Sequence, residues 1–143
     1  MKLNPDCIRD LLICLETHLE MSNNCRLGSV SLNQIQEAEE MKFYDQKEIV
    51  YTMLKLIEAR FVVGKISYGG KDSKITTAYI DDITWDGHQF LNTVRPDTVW
   101  QATKKGASKL GLMSIHALSG IAMKLAEAII SDPTVIAKIV SML

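Results

Sequence analysis

YDQKEIVYTMLKLIEAR (residues 44–60), followed directly by FVVGKISYGGKDSKITTAYIDDI (61–83) and TWDGHQFL (84–91), is the stretch that decides the fold. In the first part Ile49, Val50, Met53, Leu54, Leu56 and Ile57 recur at helical spacing and predict a wide apolar face. Asp45 and Glu48 stand at capping-box spacing at its start. The second part reads as two strands around a Gly69-Gly70 turn, with Ile75, Thr77, Tyr79 and Asp81 facing opposite to Thr76, Ala78, Ile80 and Asp82. Thr84 is a natural cap for a further helix. Gly87 in its first turn lets the hairpin pack closely, and Trp85, Phe90, Leu91 and Val94 supply core bulk. Helix, antiparallel hairpin, helix is the order of a winged helix, in which the helix before the hairpin can enter a DNA groove and the hairpin is the wing. The expected fold class is therefore α+β: a winged helix over residues 1–95 with a C-terminal helical extension over 96–143.

Outward toward the N-terminus, Asn4-Pro5-Asp6 is a helix start: cap, first-turn proline and an acid at the positive end of the dipole. Ile8, Leu11, Leu12, Leu15 and Leu19 form the stripe of a scaffold helix running to about Met21, and Ser22-Asn23-Asn24 ends it. Residues 26–41 admit two readings. Val30 and Leu32 alternate with polar neighbours, as in a short strand, and Ser31 can also cap a helix over LNQIQEAEE. A short strand near residues 27–32 followed by a helical or irregular piece is the favoured one. Glu37, Glu39 and Glu40 form an acidic cluster read as a solvated face.

Toward the C-terminus, Arg95-Pro96 interrupts the chain. A short helix is expected over residues 97–105, then a basic linker bracketed by Gly106 and Gly111. A long apolar helix over residues 112–130 follows, broken by Ser131-Asp132-Pro133, and then a last helix from Thr134. Leu112, Ile115, Leu118, Ile121, Leu125 and Ile129 on the long helix, with Ile136, Ile139 and Val140 on the last, carry more apolar surface than one packing face needs. Two readings are open, a helical hairpin packed on the chain's own winged domain and a homodimer interface, and these residues are the expected interface in the second.

Composition narrows the function. Hydrophobic residues make up 47% and charged residues 23% of the 143, as in a globular domain. Residues 1–95 hold 11 Lys and Arg against 14 Asp and Glu, a net charge of −3, whereas residues 96–143 hold 5 against 3, a net +2. Duplex DNA usually demands a basic footprint, and the winged part has a limited one. Lys47, Tyr51, Thr52 and Lys55 are the expected groove-facing residues, and Lys65, Lys71 and Lys74 the expected backbone contacts on the wing, offset by Asp72, Asp81 and Asp82. The helix face holds no Arg or Asn base reader. Three cysteines (Cys7, Cys14, Cys25) without a secretory pattern point to a reducing cytoplasm and to bystander thiols. The longest uncharged run, residues 110–123, is 14 residues and too short to span a bilayer.

No Gly-rich phosphate loop follows a strand. His18, His88 and His116 are far apart in sequence, and no Cys-x-x-Cys or His-x-x-x-His spacing suggests zinc, so no metal and no cofactor are expected. Asp81 and Asp82 fall on opposite strand faces, and Ser114 and His116 diverge on a helix. The expectation is a protein that is not an enzyme.

The segments YTMLKLIEARFV and ITWDGHQFLNTVRPDTVW closely resemble a family of small phage- and prophage-associated bacterial proteins known only as a domain of unknown function. The resemblance spans residues 6–100 and is most specific in its second half. It implies a winged-helix-like fold and a bacterial or phage setting, and brings no catalytic residue. Arg60 departs from the family's usual Gly after the helix, and a non-Gly residue in a left-handed cap costs about 1–2 kcal/mol, so either the helix ends differently here or the strain is tolerated. The leading expectation is a DNA-binding or regulatory protein, dimeric through its C-terminal helices. The alternative is a winged-helix module that acts on a host or phage protein without binding DNA. Neither reading involves a membrane.

Overall fold

Asn4 opens the first helix, α1 (Pro5–His18). Its side-chain oxygen accepts the Asp6 N–H at 3.0 Å, while Pro5 fills a position that needs no donor. Cys7, Ile8, Leu11, Leu12, Cys14 and Leu15 are fully buried along one stripe. The helix stops short of Met21: Leu19 turns extended, and Met21 bridges Leu27 across the Ser22-Asn23-Asn24 loop instead. The computed structural model describes residues 1–141. Residues 142 and 143, and the side chains of Val135, Ile136, Ile139 and Val140, lie outside the described residues.

Both readings of residues 26–41 are realised in succession. Strand β1 is Val30–Ser31, helix α2 is Leu32–Glu37, and a 3-10 turn spans Glu39–Met41. Ser31 serves twice, as the end of the strand and as the cap of the helix. Its hydroxyl accepts the Gln34 N–H at 3.2 Å, and Gln34 Oε1 accepts the Ser31 N–H at 2.8 Å, a complete capping box.

Helix α3 (Gln46–Glu58) begins at Asp45, whose carboxylate accepts the Glu48 N–H at 2.8 Å. The return half of that box is replaced. Glu48 Oε1 accepts from Asn4 Nδ2 at 2.7 Å, which ties the starts of α1 and α3 together. The buried arc is Ile49, Thr52, Met53 and Leu56, with Val50 at its edge. Leu54, expected in the core, is 37% exposed, because it lies roughly 200° around the helix from Thr52. The helix ends in a left-handed turn at Arg60 (φ +63°), with Arg60 N–H bonded to Ile57 O and Phe61 N–H to Leu56 O, both at 3.0 Å.

Strands β2 (Val62–Gly69) and β3 (Lys74–Ile83) form the hairpin, and the antiparallel sheet has the order β1-β3-β2. The pairing shifts twice, between Val63 and Gly64 and between Ser67 and Tyr68, so Asp81 and Thr76 are extra residues in β3. This overturns strict alternation. The second bulge puts Ile75, paired with Tyr68, on the face of Ala78 and Ile80, not on that of Thr77 and Tyr79.

Helix α4 (Trp85–Val94) follows at once. The Thr84 hydroxyl accepts the Gly87 N–H at 3.1 Å and donates to Arg60 O at 2.8 Å. A Cβ on Gly87 would lie 2.1 Å from Phe61 O, so the close approach inferred from the sequence is real. Phe90 packs on Phe61 with ring centroids 5.4 Å apart. Trp85 is not core: it is 76% exposed, because the buried arc of α4 is Gly87, Phe90, Leu91 and Val94.

The chain divides into two compact units, Met1–Leu91 and Asn92–Leu143. In the second, α5 (Asp97–Leu110) runs straight through the segment expected to be a linker. Gly106 is tolerated inside it because α6 passes there, and a Cβ would meet Ile121 Cγ2 at 3.4 Å. Gly111 (φ +69°) ends α5, with Leu112 N–H bonded to Ala107 O at 2.9 Å. Helix α6 (Ile115–Ile130) starts later than expected, at Ser114, whose hydroxyl accepts the Ala117 N–H at 3.0 Å. Helix α7 is Pro133–Ser141, opened by the Asp132 carboxylate accepting the Thr134 N–H at 2.9 Å. Among the described residues no helix is long and apolar enough to cross a membrane.

Candidate functional site

The exposed side of α3 faces the tip half of the hairpin, and the two enclose an open groove of about 290 Å³. Its walls are Val50, Tyr51 and Leu54 from the helix and Tyr68 and Ile75 from the hairpin, with Met1, Gln46 and Lys47 at the rim. Leu54 and Tyr68 (53% exposed) present apolar surface to solvent here. The second bulge makes this possible: without Thr76 as an extra residue, Ile75 would point to the other face of the sheet. Ile75 also borders a more polar groove lined by Ser31, Asn33, Gln46, Thr77 and Tyr79.

The expected site residues separate in space. Lys47 and Tyr51 do line the α3–hairpin groove. Thr52 does not face outward. It is 1% exposed, its hydroxyl donates to Glu48 O at 2.8 Å, and its oxygen lies 3.3 Å from Cys7 Sγ, so it belongs to the α1–α3 core and cannot reach a duplex. Its small polar side chain follows the helical arc of Ile49, Met53 and Leu56 inward, and the i−4 carbonyl satisfies the hydroxyl. Lys55 is held along the helix surface, with Nζ 2.9 Å from Glu58 Oε2 and 5.5 Å from the centre of the Tyr51 ring. The Glu58 carboxylate raises its pKa. Lys65, Lys71 and Lys74 are exposed. Register places Lys65, opposite Tyr79, on the sheet face away from Ile66 and Tyr68.

The expected dimer surface is also partly consumed inside the chain. Ile115 and Leu118 are buried, together with Ala122, where α5 and α6 pack. They are therefore not interface residues. Ile121 and Leu125 are half-buried, and Leu112 and Ile129 are exposed. Ile136, Ile139 and Val140 lie outside the described residues.

A second cluster is not apparent from the zinc spacings sought in the sequence. Cys14 and His18 stand one helical turn apart on α1, and Glu40 approaches from the 3-10 turn. One ligand atom from each, Sγ, an imidazole nitrogen and a carboxylate oxygen, lie within 4.8 Å of one another. Cys-x-x-x-His is neither Cys-x-x-Cys nor His-x-x-x-His, although it also puts both side chains on one helix face. Burial, and then the Glu40 charge, push the Cys14 thiol up to about 12. Cys7 is likewise pushed up to about 11, mainly by burial. The Tyr44 hydroxyl, which donates to Asp10 Oδ2 at 2.6 Å, is raised by burial and by that carboxylate.

A family model described as "Hypothetical protein (DUF2513)" matches residues 2–113, more than three quarters of the chain. The chain belongs to the DUF2513 family. The match covers α1 through α5, and therefore Cys14, His18 and Glu40 and every groove residue except Met1. An uncharacterized protein of Haemophilus influenzae (strain ATCC 51907 / DSM 11121 / KW20 / Rd) is 28% identical over 123 residues, 85% of this chain and 92% of that protein. No solved structure matches the chain.

Proposed function

We propose that residues 1–91 are a winged helix that docks a protein segment in the groove between α3 and the hairpin. The winged-helix reading is supported by element order: α1, β1, α2, α3, β2, β3, with the short first strand paired to β3. The observation that carries the docking role is the groove itself. Where a DNA reader would carry polar groups aimed at base edges, this face carries Val50, Tyr51, Leu54, Tyr68 and Ile75. Thr52 is buried, and Lys55 is engaged by Glu58. Lys47 at the rim and Lys71 and Lys74 at the hairpin tip make a carboxylate-flanked apolar anchor the complementary ligand. The resemblance to phage and prophage proteins is what supports a host or phage protein as the source of that ligand.

A second reading rests on the three exposed hairpin lysines, Lys65, Lys71 and Lys74, which could hold a nucleic-acid backbone without base readout. Selection of a random peptide library on the full chain, beside a duplex gel shift over a salt series, separates the two. Docking predicts enriched peptides with one large apolar residue between acidic ones, their binding abolished by Leu54→Glu, and no duplex shift at low salt. A duplex shift that weakens on Lys71→Ala with Lys74→Ala, its salt slope dropping by roughly one for each phosphate no longer neutralised, would establish the backbone reading instead. For the second unit we propose pairing of two copies through α6, whose Met123 and Ile130 are exposed two turns apart.

A further inference from the structure

We propose that Cys14, His18 and Glu40 form a zinc-binding site that clasps the end of α1 to the 3-10 turn at Glu39–Met41. The three groups come from two elements that pack together and are 22 residues apart at their nearest, Glu40 and His18. Cys14 and His18 share a face because they are four apart on a helix. His18, the last residue of α1, is exposed, Cys14 is buried and Glu40 is half-buried.

The donor set selects the metal class. One thiolate, one imidazole and one carboxylate suit zinc, whereas calcium and magnesium take oxygen ligands throughout. Zinc bonds of about 2.0–2.3 Å in a tetrahedron set ligand atoms roughly 3.3–3.6 Å apart. The observed span of at most 4.8 Å then needs a closure of no more than about 1.2–1.5 Å, within reach of side-chain rotations at His18 and Glu40. Three protein ligands leave a fourth position on the exposed side, open to water or to a partner's side chain. Metal binding takes the thiolate form of Cys14, so its thiol proton is released to solvent as the metal–sulfur bond forms.

The test uses the metal-free full-length chain titrated with Co²⁺ and then Zn²⁺. One equivalent of Co²⁺ is expected to produce a thiolate-to-cobalt charge-transfer band and tetrahedral visible bands, which Zn²⁺ bleaches. Zn²⁺ is also expected to raise the thermal midpoint, because the metal binds the folded state. His18→Ala, at an exposed position, is expected to keep the fold and weaken Co²⁺ binding by a factor of about 100 or more, since loss of an outer partner alone costs about 10–100-fold. Cys14→Ser should abolish the charge-transfer band, and Cys25→Ser, at the exposed thiol, should leave it unchanged. Should Cys14→Ser fail to fold, His18→Ala and Glu40→Gln decide. No band at micromolar Co²⁺, a band abolished only by Cys25→Ser, or a band undiminished in both His18→Ala and Glu40→Gln would overturn the site.

Discussion

Cys7 shows how one buried residue sets a pH limit. Its thiol sits in the α1–α3 core beside Thr52, and burial raises it from 9.0 to about 11. Folded Cys7 therefore keeps its proton over a range in which the unfolded thiol has given it up. Between those values the unfolded chain binds fewer protons, so this contribution to stability is full below pH 9 and declines as pH rises toward 11. Metal-free protein followed by circular dichroism is expected to show a falling thermal midpoint over that window, with a shallower fall in Cys7→Ala. An equal slope in both would assign the loss to other groups, of which Cys14, raised to about 12, and then Tyr44, raised beside Asp10, are the first to test. Arg60 is the other residue-level cost. The missing glycine left two outcomes open, a different helix end or a tolerated strain, and the structure has the second, with φ at +63°. Flanking hydrogen bonds to Leu56 O and Ile57 O, and the Thr84 hydroxyl on its carbonyl, hold it there.

At the scale of elements, glycine substitutions separate packing from propensity. Gly87 lies where α4 crosses the start of the hairpin, and a methyl there would overlap a backbone oxygen and Ile83. Gly87→Ala is expected to destabilise by about 3 kcal/mol or more. Gly120, inside α6, has nothing within 4 Å of its missing Cβ, and Gly120→Ala is expected to stabilise by about 0.5–1 kcal/mol. Urea unfolding of both variants measures the contrast, and a loss at Gly120 would place that position inside the paired face of α6 rather than beside it. The starts of α1, α3 and α4 were legible because a cap acts within its own few residues: Asn4, Asp45 and Thr84 each bond the backbone two or three positions on. The facing of Ile75 was not legible. A bulge is settled by what two strands bury together, and nothing local to Thr76 announces it. The continuity of α5 was hidden for the same reason, since Gly106 reads as a break until Ile121 lies against it.

For the whole molecule, the question is how the apolar surface of the second unit is used. Ile115, Leu118 and Ala122 are consumed by α5, while Leu110, Leu112, Met123 and Ile130 stay exposed. Light scattering on the full chain is expected to give a dimer, and Met123→Lys with Ile130→Lys a monomer. Monomers for the unaltered chain would refute pairing through α6. The amino-acid order alone determined the α+β class, the starts of α1, α3 and α4, the hairpin and its turn, and the close contact at Gly87. Each follows from interactions over a few residues or from a steric limit of one residue type. Only the tertiary structure decided that Thr52 is core and Leu54 is surface, that Tyr68 and Ile75 complete a groove with α3, and that Glu40 meets Cys14 and His18. Those outcomes depend on which side of a helix or strand its distant neighbours cover. Periodicity can show that a buried face exists, but its centre is set by the elements packed against it.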